Sequence, residues 1–271
     1  MQTLLTAFIL TVGSFVGVCD DNPYRVHNQA AIAAAAGTPW SAARHLFLVE
    51  RVNEQFLTQI VLPYPIAQDD LKGLYGKQKT VPFFAYSSMI DPESAAAQAI
   101  SPTGRSSFQP AVAFGIQRVF NRELDHKVVT AKFGPLRRDN DLAILNAFEK
   151  QDVAVNGVLF NLTLPDLLIL ANREVGYDLI PVPVILWDEA MGDEEPSIIV
   201  AYTFRAPDYI GEGTRYTNPA INPIPQYVAL LQKGIQQLGE DFEAMWWATT
   251  YLADKKTPLS EMPYHEVDCG E

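Results

Sequence analysis

Residues 156–187, NGVLFNLTLPDLLILANREVGYDLIPVPVILW, decide how the chain is read. The order is strand, short helix, turn, strand. Residues 155–162 are apolar and rich in strand formers. Thr163 is a helix cap, with Pro165 in the first turn and Asp166 three residues after the cap. Leu167, Leu168, Leu170 and Ala171 supply the buried side of that helix. It cannot continue past Gly176, so Asn172, Arg173, Glu174 and Val175 lie at its C-terminal end. A second apolar strand spans 177–187. Pro181 and Pro183 lack the N–H that a ladder needs, which predicts an edge strand.

This spacing pins the Glu174 carboxylate between a helix end and a strand. The negative end of a helix disfavours an ionised acid, and partial burial acts in the same direction. Both effects suit a proton-transfer group working near neutral pH. From spacing alone, the favoured reading is an ordinary surface glutamate beside Arg173.

Working outward, 271 residues suffice for one large or two small domains. A 48% hydrophobic and 19% charged composition belongs to a folded chain rather than a disordered one. A net charge of -12 argues against nucleic acid as a partner, because phosphate binding needs clustered Lys and Arg. Cys19 and Cys269 make neither a metal site nor a disulfide framework. They are two free thiols or, in an exported protein, one bridge between the termini. Residues 1–18 carry no charge and form either a signal-peptide core or a buried first element. The missing basic start and the poor cleavage residue Val18 favour the buried element and a cytoplasmic protein. Without that segment as an anchor, no stable membrane partner is expected, since no other stretch is long and apolar enough to span a bilayer.

Residues 27–36 read as an Ala-rich helix stopped by Gly37. Thr38 and Pro39 open a second helix. Leu46, Val49, Val52, Phe56 and Ile60 give it one apolar face. Pro63 and Pro65 end it, and 69–79 is a polar connection. The organisation expected is therefore an apolar segment 1–18, a helical extension 19–78, a main domain 79–254 and a loose polar tail 255–271. Within the main domain, 81–86 is a short strand running into a small-residue loop, and 94–100 is a helix. Residues 110–121 are a strand, 127–133 continue the sheet, and 142–148 form another strand. A strand over 198–204 carries Tyr202. Residues 207–223 are a long loop of the kind that covers sites. Two closing helices bury Tyr227, Leu231, Gly234 and Ile235, then Phe242, Met245 and Trp246.

Familiar catalytic signatures are missing. The chain has no HExxH, CxxC, Walker loop or GxSxG elbow. Its four histidines are scattered, with no metal-ligand spacing.

The order of the remaining pieces resembles the gamma-glutamylcyclotransferase-like family. Phe84-Ala85-Tyr86-Ser87-Ser88-Met89 is similar to the family's first strand and its Tyr-Gly-Ser-Asn loop. Residues 155–159 resemble the strand before the catalytic helix. Arg173-Glu174 with Tyr177 resembles the catalytic turn. Tyr202 falls where the family has a strand tyrosine, and Pro225-Gln226-Tyr227 with Gly234 resembles the last helix. The resemblance covers residues 79–252. Ser87 stands where the family has Gly, and Met89 where it has Asn. The family's Gly lets backbone come close to the glutamyl group, so its loss at Ser87 implies a narrowed or reshaped pocket and leaves activity open.

The resemblance implies a mixed α+β fold: a small, closed, mostly antiparallel β-barrel with flanking helices. It implies a small-molecule γ-glutamyl substrate and no metal or cofactor. The substrate's own α-amine attacks its γ-carbonyl, releasing an amine and 5-oxoproline. Glu174 is the implied catalytic acid–base. Tyr86, Ser87, Ser88, Met89, Tyr177, Tyr202 and Tyr227 are the implied substrate-binding residues. Fungal pathways to sulfur-bridged dioxopiperazine toxins such as gliotoxin use members of this kind on glutathione adducts. The long loop and the extension suit that identity. Two rivals stand beside it: a γ-glutamyl-binding protein without turnover, and an amide hydrolase using the same pocket.

Overall fold

The computed structural model describes residues 41–55, 61–210, 214–215 and 217–262. The expectations for residues 1–40, including the apolar start, the Ala-rich helix and Cys19, lie outside that range. So do Phe56, Ile60 and Cys269.

In chain order the helices are α1 (Ala42–Gln55), α2 (Gln68–Tyr75), α3 (Pro102–Ser106), α4 (His126–Phe133), α5 (Leu164–Arg173), α6 (Trp187–Met191), α7 (Pro225–Gln236) and α8 (Glu240–Ala248). The strands are β1 (Val81–Ala85), β2 (Gln109–Glu123), β3 (Asp141–Leu162), β4 (Asp178–Leu186), β5 (Ile199–Arg205), β6 (Tyr209–Ile210), β7 (Thr214–Arg215), β8 (Asn222–Pro223) and β9 (Thr250–Tyr251). Strands β3, β1, β5, β4 and β2 pair in that order, and β2 pairs back onto β3. The sheet is thereby a closed five-stranded barrel, antiparallel except where β1 runs beside β5. The protein is a mixed α+β fold with helices packed around this barrel.

Closure depends on a close approach that only glycine permits. A side chain at Gly157 of β3 would collide with the Ala85 carbonyl and the Phe84 ring. Its absence lets β1 sit directly on β3, with Ala85 opposite Val158.

Several local expectations are corrected by the structure. Residues 142–148 and 155–162 are not two strands but parts of one, β3. Its register against β2 slips between Phe114 and Ile116, next to Gly115 at φ 78°. A slip of this kind bends a long strand around a barrel corner without ending it. Residues 127–133 are the helix α4, not strand. Asp125 caps it by accepting from the Lys127 N–H at 2.8 Å, and Gly134 at φ 87° stops it. That local capping outweighs the strand preference of Val128 and Val129. Residues 94–100 form turns and one 3-10 segment, Ala97–Ala99, rather than a regular helix.

Strand β4 is interior, not an edge: β5 lies on one side and β2 on the other. Leu179, Pro181 and Pro183 alternate in phase, and the Leu179 N–H points away from β5 to the Leu62 carbonyl at 2.8 Å. The proline nitrogens therefore face the β2 side. There the β2–β4 ladder ends at Ala113↔Val184, so neither proline removes a bond that another strand needs.

The apolar stripe of α1 is rotated from the expected one. His45, Leu48, Val49 and Val52 are buried, while Leu46 is 59% exposed. Leu48, Val49 and Val52 pack with Val112, Phe114, Ala154, Ile185 and Met245 on the outside of the barrel. Arg44 donates to the carbonyls of Ala190 and Glu189 at 3.0 and 2.7 Å, tying α1 to the end of α6. Residues 69–79 are not a plain polar connection. They hold most of α2, whose Leu71 and Tyr75 join the main core, with the Tyr75 hydroxyl donating to the Leu162 carbonyl at 3.0 Å. The start of the tail is also packed: Leu259 is fully buried and Pro258 bridges to Tyr251.

A buried arginine fastens the last helix. Arg118 of β2 donates to Asn156 of β3 and to Trp246, Thr249 and Thr250 at the end of α8. Asn156 in turn donates to the Phe242 carbonyl at 2.6 Å. Every contact there is a neutral acceptor, so the group is hydrogen-bonded though not ion-paired.

Candidate active site

The site forms where α5 returns to the barrel. Thr163 and Asp166 make a reciprocal capping box at the start of α5. At its other end Glu174 is the C-cap residue, its N–H donating to the Leu170 carbonyl at 3.0 Å. Gly176 takes φ 84°, a left-handed geometry that reverses the chain into β4. The Tyr177 N–H closes the turn on the Glu174 carbonyl at 3.2 Å. The backbone thus holds Glu174 from both sides.

Its carboxyl is half-buried and faces three buried phenols, those of Tyr86, Tyr177 and Tyr227. Burial pushes the Glu174 carboxyl above its ordinary value, against the opposing charges of Arg173, Lys132 and Arg122. Among the described residues, no side chain or backbone group hydrogen-bonds the carboxylate. An acid that is desolvated but has no donor is poised to accept a proton from an arriving ligand.

The tyrosines are held differently. The Tyr86 hydroxyl donates to the Phe204 carbonyl at 2.8 Å and accepts from the Ala147 N–H at 3.0 Å, locking the end of β1 across the barrel. Burial raises its pKa well above the ordinary phenol range, with the neighbouring Tyr177, Glu174 and Tyr227 adding to the rise. Burial also raises Tyr177 and Tyr227, and Glu174 is the next contributor to each. All three are neutral hydrogen-bonding groups at physiological pH.

Ser87, Ser88 and Leu145 lie beside the Tyr227 phenol and temper the rise of its pKa. The loop after β1 therefore lies against α7. Ser88–Ile90 is a 3-10 turn whose Met89 side chain is buried in the main core. Gly234 of α7 lets that turn pack closely, because a Cβ there would lie 2.6 Å from the Asp91 nitrogen.

Of the residues singled out by sequence, the structure brings Glu174, Tyr86, Tyr177 and Tyr227 together, with Ser87 and Ser88 behind Tyr227. Met89 is packed into the core. Tyr202 stands apart: it lies on β5 opposite Pro181 and beside Phe83, and its phenol is raised by burial alone, with no contribution from Glu174. Sequence reading missed Arg122 and Lys132. They reach Glu174 from β2 and α4, and nothing in their local pattern marks them. Their only signal is the fold, which places 122 and 132 beside 174.

Among the described residues, no group of His, Cys, Asp and Glu is arranged to hold a metal ion, and no helix is long and apolar enough to cross a membrane.

No family model matches the chain, and no curated protein matches it. Similar solved structures include YkqA from Bacillus subtilis, at 17% identity and a TM-score of 0.44, covering 64% of this chain and 55% of that one. The chain thus spans about half the length of that protein. A gamma-glutamyl cyclotransferase matches at 16% identity and 0.40, covering 59% of this chain and 80% of that one. A yeast gamma-glutamyl cyclotransferase specific to glutathione matches at 14% identity and 0.40, covering 64% and 96%. Likeness at this level concerns chain topology and says nothing about chemistry.

Proposed function

We propose that this protein cyclises the γ-glutamyl group of a small molecule, releasing 5-oxoproline and an amine, with Glu174 as the proton-transfer residue. The observation that carries the reading is the half-buried Glu174 carboxylate. It is raised in pKa, meets no hydrogen-bond donor among the described residues, and is walled by neutral tyrosines.

The reaction needs little more. The α-ammonium of the substrate gives a proton to Glu174, and the freed amine attacks the γ-carbonyl carbon. A five-membered ring closes as the new C–N bond forms. The bond to the leaving nitrogen then breaks as Glu174 returns the proton to that nitrogen, and the second proton of the ring nitrogen passes through the same carboxylate to the freed amine, which leaves as an ammonium beside 5-oxoproline. Both reacting groups belong to one molecule, so holding them in an attacking conformation supplies much of the acceleration. The buried phenols offer donors to a carboxylate or to the developing oxyanion without carrying charge themselves.

The substrate we propose to examine first is a glutathione S-conjugate of the kind formed on the way to sulfur-bridged dioxopiperazines. Motivation comes from the long 207–223 loop and the N-terminal extension. Product analysis across γ-glutamyl dipeptides, glutathione and such a conjugate tests the reading. 5-Oxoproline supports it. Free glutamate would replace it with a hydrolase, and binding without turnover with a γ-glutamyl-binding protein. That last outcome has its own support in Ser87 and Ser88 facing Tyr227 and in Met89 being drawn into the core.

A further inference from the structure

We infer that Arg122 is a positioning residue for Glu174, aimed there by a bulge in β2. The inference rests on Glu174 being the proton-transfer group proposed above.

The register of β2 on β3 runs Phe120↔Leu145 and then Arg122↔Ile144, which leaves Asn121 as an extra residue. A bulge rotates the strand and redirects the side chains that follow it. Here it is fixed from the far side. The Asn218 N–H donates to the Asn121 carbonyl at 2.9 Å, Thr217 bridges to Arg122, and the Asn146 amide donates to Asn121 Oδ1 at 3.1 Å. The redirected guanidinium donates from Nη1 to the Glu123 carbonyl at 2.9 Å and from Nη2 to the Val175 carbonyl at 3.5 Å. Its carbon lies over the Tyr177 ring, 5.6 Å from the centre.

Val175 and Tyr177 flank Gly176, the residue that turns the chain after Glu174. Arg122 therefore grips that turn on both sides. A planar, multi-donor cation can reach a carbonyl and stack on a ring at once, whereas an ammonium offers a point charge. The charged and titratable groups facing Glu174 are Tyr86 from β1, Arg122 from β2, Lys132 from α4, Arg173 from α5, Tyr177 from the turn and Tyr227 from α7. Arg122 is the cation among them that also holds the backbone around the acid.

The test compares wild type, Arg122→Lys and Arg122→Met by NMR titration of the 13C-labelled Glu174 carboxyl and by the pH dependence of kcat. Removing a positive charge makes Glu174 harder to ionise. Arg122→Met should therefore raise its pKa and move the acidic limb of the kcat profile to higher pH. Arg122→Lys keeps the charge and loses the brace, so the titration should stay near wild type while kcat falls about tenfold or more. KM should change less than kcat in both. A Glu174 titration unmoved in Arg122→Met would overturn the inference. So would a folded Arg122→Lys enzyme with kcat within about twofold of wild type. If Arg122→Met does not fold, the Lys variant decides. A wild-type protein that releases no 5-oxoproline defeats the proposed reaction instead, and the titration then decides the role of Arg122 by itself.

Discussion

Helix α5 carries a carboxylate at each end, and the two are treated in opposite ways. Asp166 sits in the first turn, where the helix is electropositive. It accepts from the Ser101 N–H at 2.7 Å and hydroxyl at 3.0 Å, and from the Thr163 N–H at 3.2 Å and hydroxyl at 2.7 Å. Burial alone would raise its pKa, but those four donors win and hold it below the ordinary value. Glu174 sits at the electronegative end with no donor among the described residues, and there burial wins over three nearby cations. One acid is spent on holding the helix in place. The other has been left chemically available. Both carboxylates are pushed up by burial, and the four donors at Asp166, without a counterpart at Glu174 among the described residues, reverse the outcome there.

The most severe challenge to this contrast is Glu174→Gln. Gln keeps the shape but cannot take a proton from an ammonium. Turnover should fall about 10²- to 10⁴-fold, or roughly 3 to 5 kcal/mol of barrier, while circular dichroism stays that of wild type. Activity within a few-fold of wild type would remove Glu174 from the chemistry. At the other end, Asp166→Ala should cost stability rather than catalysis. A lost capping box and unpaired Ser101 and Thr163 donors are worth about 2 kcal/mol, read by urea denaturation. kcat per folded molecule should stay close to wild type.

The two ends should also separate by pH. A raised carboxyl binds its proton more tightly when folded. Its ionisation therefore withdraws stability as pH climbs from the ordinary carboxylate value through the raised folded one. Wild type should thus fall below Glu174→Gln in melting temperature at neutral pH and converge with it at about pH 4. Asp166 has the opposite sign. Its stabilisation is full above the unfolded pKa and drains as pH falls through the depressed folded value. Coincident melting curves for wild type and Glu174→Gln across that range would show that Glu174 is solvated like any surface acid. The smallest effect belongs to Arg173→Gln. Arg173 is exposed and makes no ion pair closer than 4.0 Å among the described residues. Stability should stay within about 0.5 kcal/mol of wild type. If Glu174 were merely a surface partner of Arg173, both substitutions would have small, similar effects on turnover.

The role of Asp166 is legible in the sequence alone, because Thr163 and Asp166 stand at capping-box spacing and act within one turn. Glu174 is legible there only as a position: a helix end before a glycine. Whether it is a surface partner of Arg173 or a buried acid depends on Tyr86, Tyr227, Arg122 and Lys132, which come from β1, α7, β2 and α4. The same divide explains the corrections. The Pro181 and Pro183 pattern implies an edge because it reports missing donors. Which neighbour those donors would have faced depends on where β2 leaves the ladder. In α1, Leu46 and Leu48 satisfy similar helical spacings, and only docking on the barrel chooses Leu48.

What could be read from the order of residues is therefore what short-range forces govern. Those features are the caps of α5, the turn at Gly176, the apolar runs of β1, β3, β4 and β5, and the placing of Glu174 at a helix end. The closed barrel was expected only through the family resemblance, and continuity of β3, the company around Glu174 and the aim of Arg122 were settled only in the folded chain. Such features arise from contacts between residues far apart in the chain, and desolvation of a carboxylate depends on what those distant elements bring against it.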